Sequence, residues 1–220
     1  MPDTGAVQGL ELQAGCRALG LVLSQPQAAQ LADYLALLAR WNKSYNLTAV
    51  RDPREMVTRH IFDSLSVASR IEGGRVLDVG TGAGLPGVPL SIVFPERTFH
   101  LLDSNGKKTR FLFQVKTALG LDNIVIHHTR VESFAVTDGF DTVVSRAFAS
   151  VADMLERCRH LLAPGGVLLA MKGVYPAQEL NAVSLPGAGI TVHPLAVPGL
   201  NEQRHLVEMR LQSAVAPRQA

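Results

Sequence analysis

The chain has 220 residues, of which 47% are hydrophobic and 18% charged, and a formal net charge of +2. That length holds one α/β domain with a small extension, and that apolar share excludes a disordered chain. A pI near 8.7 is only mildly basic, so total charge names no nucleic-acid partner.

The first 72 residues are helical in character. Pro26 after Ser24 marks a helix start, and Leu31, Leu35 and Leu38 recur at helical spacing. Pro53 after Asp52 opens a second apolar stripe through Met56, Val57, Ile61, Leu65 and Ala68. Between them the run Trp41-Asn42-Lys43-Ser44-Tyr45-Asn46-Leu47-Thr48 is predicted to be a loop. From Gly74 onward, short apolar strands are predicted at 75–79, 98–102, 123–127, 141–145 and 166–171. Helices are predicted at 107–119 and 151–162, so regular βα alternation implies a parallel sheet covered on both faces. Leu162-Ala163-Pro164-Gly165-Gly166 reads as a turn before the fifth strand. After Lys172 two strand-like runs, 190–196 and 204–211, form a terminal antiparallel hairpin. We divide the chain into a helical cap over residues 1–72 and one α/β domain over 73–220.

Basic residues cluster twice, at Arg40, Lys43, Arg51, Arg54 and Arg59, then at Lys107, Lys108, Arg110, Lys116 and Arg130. The ordinary meaning of such clusters is a solvated face. Cys16 and Cys158 have no CxxC or mixed Cys/His spacing, so neither a zinc site nor a disulfide framework is indicated. The histidines form no HExxH or HxH arrangement, and no metal is expected. No signal-peptide pattern or long apolar run is present, which points to a cytoplasmic chain without a membrane span.

The most informative stretch is VLDVGTGAGLPG, from Val76 to Gly87. A buried strand runs into a glycine-rich turn, where Gly80, Gly82, Gly84 and Gly87 let backbone amides approach a ligand. Such a strand–turn–helix serves many nucleotide sites, and a tight turn of purely structural use reads the same way. Asp78 narrows the choice. Dinucleotide folds usually place an apolar residue there, because a carboxylate would repel pyrophosphate. A carboxylate suits S-adenosylmethionine, which carries a sulfonium and an ammonium.

Asp103, at the end of the second strand, is placed to accept hydrogen bonds from ribose hydroxyls. Its competing reading is the N-cap of the next helix. After the third strand, Arg130-Val131-Glu132 occupies the edge that closes over adenine, although Glu132 also suits a first helical turn. The fourth strand ends in Ser145-Arg146-Ala147-Phe148, at the crevice where strand order should reverse. Signatures of amino-group and cytosine-C5 methyltransferases are absent, as are GxSxG and P-loop lysine motifs.

With these motifs in order, the chain resembles the bacterial 16S rRNA (guanine-N7) methyltransferases of the RsmG (GidB) family. The resemblance runs from about Trp41 to Arg210 through WNKSYNLTAVRDPREM, RHIFDSL, DVGTGAGLPG, LLDSNGKKTRFL, RVE, SRAFAS, MKG and RHLV. It implies a class I SAM-dependent fold: a Rossmann-like, mostly parallel seven-stranded sheet with a C-terminal antiparallel hairpin and an N-terminal helical extension. Family cofactor contacts carried onto matching positions are Gly80, Leu85, Val131, Glu132 and Arg146. Our own reading adds Asp78, Gly82, Gly84 and Asp103. The implied acceptor is guanine N7 in 16S rRNA or the small subunit, with S-adenosylhomocysteine as second product. N7 has a free lone pair, so no general base is required, and Arg146 and Lys172 are positioning candidates. Asn46, Arg59, His60 and Lys172 are the RNA-side candidates, against a turn or cap for Asn46 and an exposed strand end for Lys172. A monomer is expected. The first ten residues and the tail beyond Leu211 match nothing recognisable.

Three rivals remain open on the residues alone. An NAD(P)-dependent oxidoreductase leaves Asp78 and the hairpin without a role. A small-molecule methyltransferase leaves the basic stretch around Trp41 unexplained, and a non-enzymatic RNA binder leaves the glycine loop idle.

Overall fold

The computed structural model describes residues 4–148, 150–183 and 188–211. The unmatched tail beyond Leu211 lies outside them. Helices α1 (Thr4–Ala18) and α2 (Gln25–Tyr45) lead the chain. Ser24 caps α2 in a capping box with Gln27, whose side-chain amide also donates to Ile92 O at 2.9 Å. The helix therefore starts where its sequence predicts, and its cap is already docked on the α/β body.

The stretch predicted as a loop is helix as far as Tyr45. Trp41 packs on Phe111 and stacks on Tyr45, while buried Asn42 bonds Val50 O and receives Thr48 N–H. These tertiary contacts, together with the absence of Gly or Pro, extend α2. Asn46 ends it in the left-handed region at φ 50°, which Asn tolerates better than most residues.

Asp52 caps α3 (Pro53–Met56), which passes through a π-helical turn (Val57–Phe62) into α4 (Asp63–Leu65). π turns are frequent at functional sites, and this one carries Arg59 and His60. Gly15 lets α1 cross it closely, since a Cβ there would overlap the Phe62 ring.

The sheet contains β1 (Arg75–Val79), β2 (Thr98–Asp103), β3 (Ile124–His128), β4 (Phe140–Ser145) and β5 (Leu162–Lys172). It is completed by β6 (Ala188–Pro194) and β7 (His205–Leu211). Their order is β3-β2-β1-β4-β5-β7-β6, parallel except for the antiparallel pairs β5–β7 and β7–β6. Strand order reverses between β1 and β4, opening a crevice at their carboxyl ends. Around it lie α5 (Gly87–Val93), α6 (Gly106–Leu119), α7 (Val151–Cys158) and α8 (Ala177–Ala182).

Most strand boundaries lie within two residues of expectation, and the largest shift falls between α7 and β5. The seventh helix stops at Cys158 and β5 starts at Leu162, before the predicted turn. Leu162 pairs with Phe140 and Val167 with Thr142, so residues 163–166 form a bulge inside the strand.

Alternation along the strands divides the core. Val76, Leu101, Val144 and Leu169 join one cluster with α1, α2 and the π turn. Leu77, Leu102, Val143 and Leu168 join the other, with α7. The helical extension thus shares a core with one sheet face. Cys16 and Cys158 are buried, and burial pushes both thiols up to about 12. No helix among the described residues is long and apolar enough to cross a membrane.

Candidate functional site

Three neighbouring cavities lie at the carboxyl ends of the strands. The first, of about 350 Å³, opens between Gly80 after β1, Asp103 at the end of β2, Val131 and Glu132 after β3, and Ala147 after β4. The smallest, about 200 Å³, runs under the glycine loop past Gly82, Leu85 and Lys108. It shares Gly80 and Ala147 with the first cavity, and Arg146 with the third. The third, about 400 Å³, brings Arg59, His60, Asp63, Arg146, Lys172 and Arg204 together.

The loop geometry follows from its glycines. Gly80 and Gly82 are left-handed, at φ 67° and 62°, and a Cβ on Gly80 would lie 2.8 Å from Ala147 Cβ. Gly84, at φ 95°, serves packing: a Cβ there would strike Val88 and Leu112, and it lines none of the three cavities. Ser145 Oγ donates to Val79 O at 2.7 Å and accepts Ala147 N–H at 3.1 Å, so the turns after β1 and β4 are locked together.

Asp78 differs from its expected placement. Strand alternation puts it on the same face as Val76, beneath the loop rather than in a cavity. Its Oδ2 accepts Thr81 Oγ1–H at 2.6 Å and Gly87 N–H at 2.8 Å, while Oδ1 is buried with no partner. Burial raises its carboxyl to about 6, against these two hydrogen bonds. It anchors the loop and the start of α5, and acts on a ligand in these cavities only through its field.

Asp103 is where its position predicts, at the rim of the first cavity. Its Oδ2 accepts Gly82 N–H at 2.9 Å and its Oδ1 accepts Asn105 N–H at 2.8 Å. Asn105, not Asp103, caps α6. A carboxylate has about four lone-pair sites, so Asp103 keeps acceptor capacity for a ligand. Glu132 is ion-paired to Arg157 across the same cavity. Its own backbone N–H, then Arg157, hold it below the usual carboxylate range.

In the third cavity the buried Asp63 carboxylate is the hub. It accepts Arg146 Nη1–H at 3.1 Å and Arg204 Nε–H at 2.9 Å. Arg59 is bidentate to Glu202, at 2.6 and 3.2 Å, and Lys172 lies 2.9 Å from Glu179. His60 lines this cavity too. It is buried, with Nε2 2.9 Å from Thr48 Oγ1 and Nδ1 unpartnered, and burial lowers its pKa to about 4. Its ring therefore favours the neutral form. Asn46 lies outside this cavity and serves as the α2 cap. Sequence reasoning assigned no role to Asp63, Glu202 or Arg204. The signal available was the Arg59/Asp63 spacing within RHIFDSL and the arginine of RHLV.

The profile of the rRNA small subunit methyltransferase G family matches residues 27–207. The chain belongs to that family. A Ribosomal RNA small subunit methyltransferase G of Cellvibrio japonicus (strain Ueda107) is 49% identical over 217 residues, covering 96% of this chain and 99% of that one. Its namesake in Pseudomonas paraeruginosa (strain DSM 24068 / PA7) is 54% identical over 91% of this chain and 94% of its own. A SAM-dependent methyltransferase from Aquifex aeolicus shares the fold, with TM-score 0.54 and 20% identity over 72% of this chain and 93% of that one. TYW2 of M. jannaschii, solved in complex with AdoMet, has TM-score 0.50 and 13% identity over 68% of this chain and 76% of its own.

As a member of this family, the chain is a small-subunit rRNA methyltransferase, and the methyl donor expected from its sequence is S-adenosylmethionine. The residues present fit that donor: a side-chain-free loop at Gly80 and Gly82, a carboxylate with spare acceptor sites at Asp103, and apolar Val131 facing the cleft. Among the described residues no group of three or more His, Cys, Asp or Glu could hold a metal ion.

Proposed function

We propose that the acceptor is N7 of a guanosine in 16S rRNA and that methylation proceeds by direct in-line attack without a general base. Asp103 would hold the ribose, Val131 and Glu132 the adenine edge, and Gly80, Gly82 and Leu85 the rest of the donor. S-adenosylmethionine supplies an electrophilic methyl group. Arg146, shared by the loop cavity and the third cavity, stands between the donor and acceptor sides.

The observation that carries this reading is the state of the ionisable groups in the third cavity. Asp63 is held by two arginines, and His60 is a weakly basic ring already bonded to Thr48. Neither is poised to remove a proton. Guanine N7 is an acceptor with a free lone pair, so it takes a methyl group without losing a proton. Exocyclic amines do lose one, and an efficient base for that has a pKa near the working pH. This cavity therefore suits N7 better than an amino group. Its cations, Arg59, Arg146, Lys172 and Arg204, each hold a carboxylate and would order the cavity around the acceptor base, with catalysis left to positioning.

The test uses small subunits from cells lacking the protein, labelled S-adenosylmethionine and nucleoside analysis, with a single-turnover pH profile at fixed ionic strength. 7-Methylguanosine and a rate flat across the neutral range are expected. An exocyclic-amino product, or a rate rising through one pKa, overturns the mechanism.

A further inference from the structure

A depression of about 430 Å³ separates the C-terminal half of α2 from the start of α3, and Arg40, Lys43 and Arg51 line it. With Arg54 they make four exposed cations. Five arginines elsewhere, Arg59, Arg146, Arg157, Arg204 and Arg210, each hold a carboxylate. Among the described residues, Arg40, Lys43, Arg51 and Arg54 have no ion pair. The nearby carboxylates are engaged, since Asp52 accepts Arg54 N–H at 2.9 Å and Glu55 faces Arg59 at 3.7 Å. Asp33, two turns earlier on α2, makes no ion pair to Arg40. Grouped like charges repel, and scattered ones would serve solubility equally well. A polyanion offsets that repulsion.

The depression also adjoins the acceptor side. Val50 lines the third cavity and its neighbour Arg51 lines the depression. The backbone between them is pinned: Asn42 donates to Val50 O at 3.3 Å and accepts Thr48 N–H at 2.9 Å, and Val50 N–H donates to Thr48 Oγ1 at 3.2 Å. Val50 and Arg51 are consecutive, so the depression lies next to the third cavity along the chain.

We infer that this depression docks the phosphate backbone of the RNA flanking the target nucleotide, through Arg40, Lys43 and Arg51. The inference rests on the rRNA reading above and extends it to a surface outside the reacting cavities. Each phosphate contact removed should lower the slope of log K against log salt by about 0.7–0.9.

The test compares wild type, R40A/K43A/R51A and the control Arg159→Ala, an exposed cation beyond α7. Readouts are binding to deproteinised 16S rRNA across a salt series, KM and kcat on small subunits, S-adenosylmethionine affinity and Tm. For the triple variant, a salt slope smaller by about two, a KM raised at least about tenfold and near-normal cofactor affinity are expected. The control should match wild type. If the triple variant folds poorly, Lys43→Glu alone, at an exposed helical position, should reduce the slope. An unchanged slope or unchanged KM overturns the docking site and leaves rRNA methylation intact. A wild type that methylates no rRNA overturns the earlier reading instead, and the salt slope still decides the docking site.

Discussion

Asp103 has two tasks on one carboxylate. It holds the glycine loop through Gly82 N–H and orders the entry to α6 through Asn105 N–H. With Lys108 Nζ 3.7 Å away it stays beside a positive charge. Asp103→Asn keeps the size and one acceptor oxygen but loses charge-assisted bonding. Such bonds are each worth about 1.5–3 kcal/mol, so S-adenosylmethionine affinity should fall at least roughly tenfold by calorimetry. An Asn variant with wild-type affinity and a lowered Tm would assign the residue to the loop alone. Asp103 was legible because strand ends are local features of the sequence. Asp63 was not: its partners Arg146 and Arg204 are 83 and 141 positions away, and no periodicity connects them.

At the level of elements, α2 is a brace for the glycine loop. Tyr34 is fully buried and its hydroxyl donates to Ala83 O at 2.8 Å, inside the glycine loop. Tyr34→Phe removes that bond and leaves a buried carbonyl without it, a loss of about 1–3 kcal/mol. In a chain of this size each kcal/mol lowers Tm by roughly 2–4 °C. Thermal denaturation should show that fall together with weaker cofactor binding, because the loop loses its support. A lowered Tm with unchanged affinity would mean that α2 supports the fold but not the loop. The position of α2 was readable from Ser24, Pro26 and the leucine spacing. Its extension to Tyr45 was not, since it depends on Trp41 meeting Phe111 of α6.

Across the whole molecule, buried His60 and Asp78 and half-buried His100 make stability depend on pH in opposite directions. Burial lowers His60 and His100 to about 4, below the unfolded value near 6.5. The unfolded chain then binds more protons, so their contribution is full above that unfolded value and is lost as pH falls toward 4. Asp78 is raised to about 6, so the folded chain holds its proton longer and this group weakens stability as pH rises from about 4 to 6. Urea denaturation should show net stabilisation from pH 4.5 to 7, and Asp78→Asn should make that rise steeper. A flatter profile in the variant would contradict the buried, unpaired state of Asp78 Oδ1. By itself the sequence determined the βα alternation, the terminal hairpin, the glycine loop and the family motifs. Strand periodicity, turn chemistry and the need for left-handed glycines are written within a few neighbouring residues. Only the tertiary structure decided that Asp78 faces the core, that His60 is neutral and that Asp63 gathers two arginines. Burial and ion pairing depend on which distant segments the fold brings together.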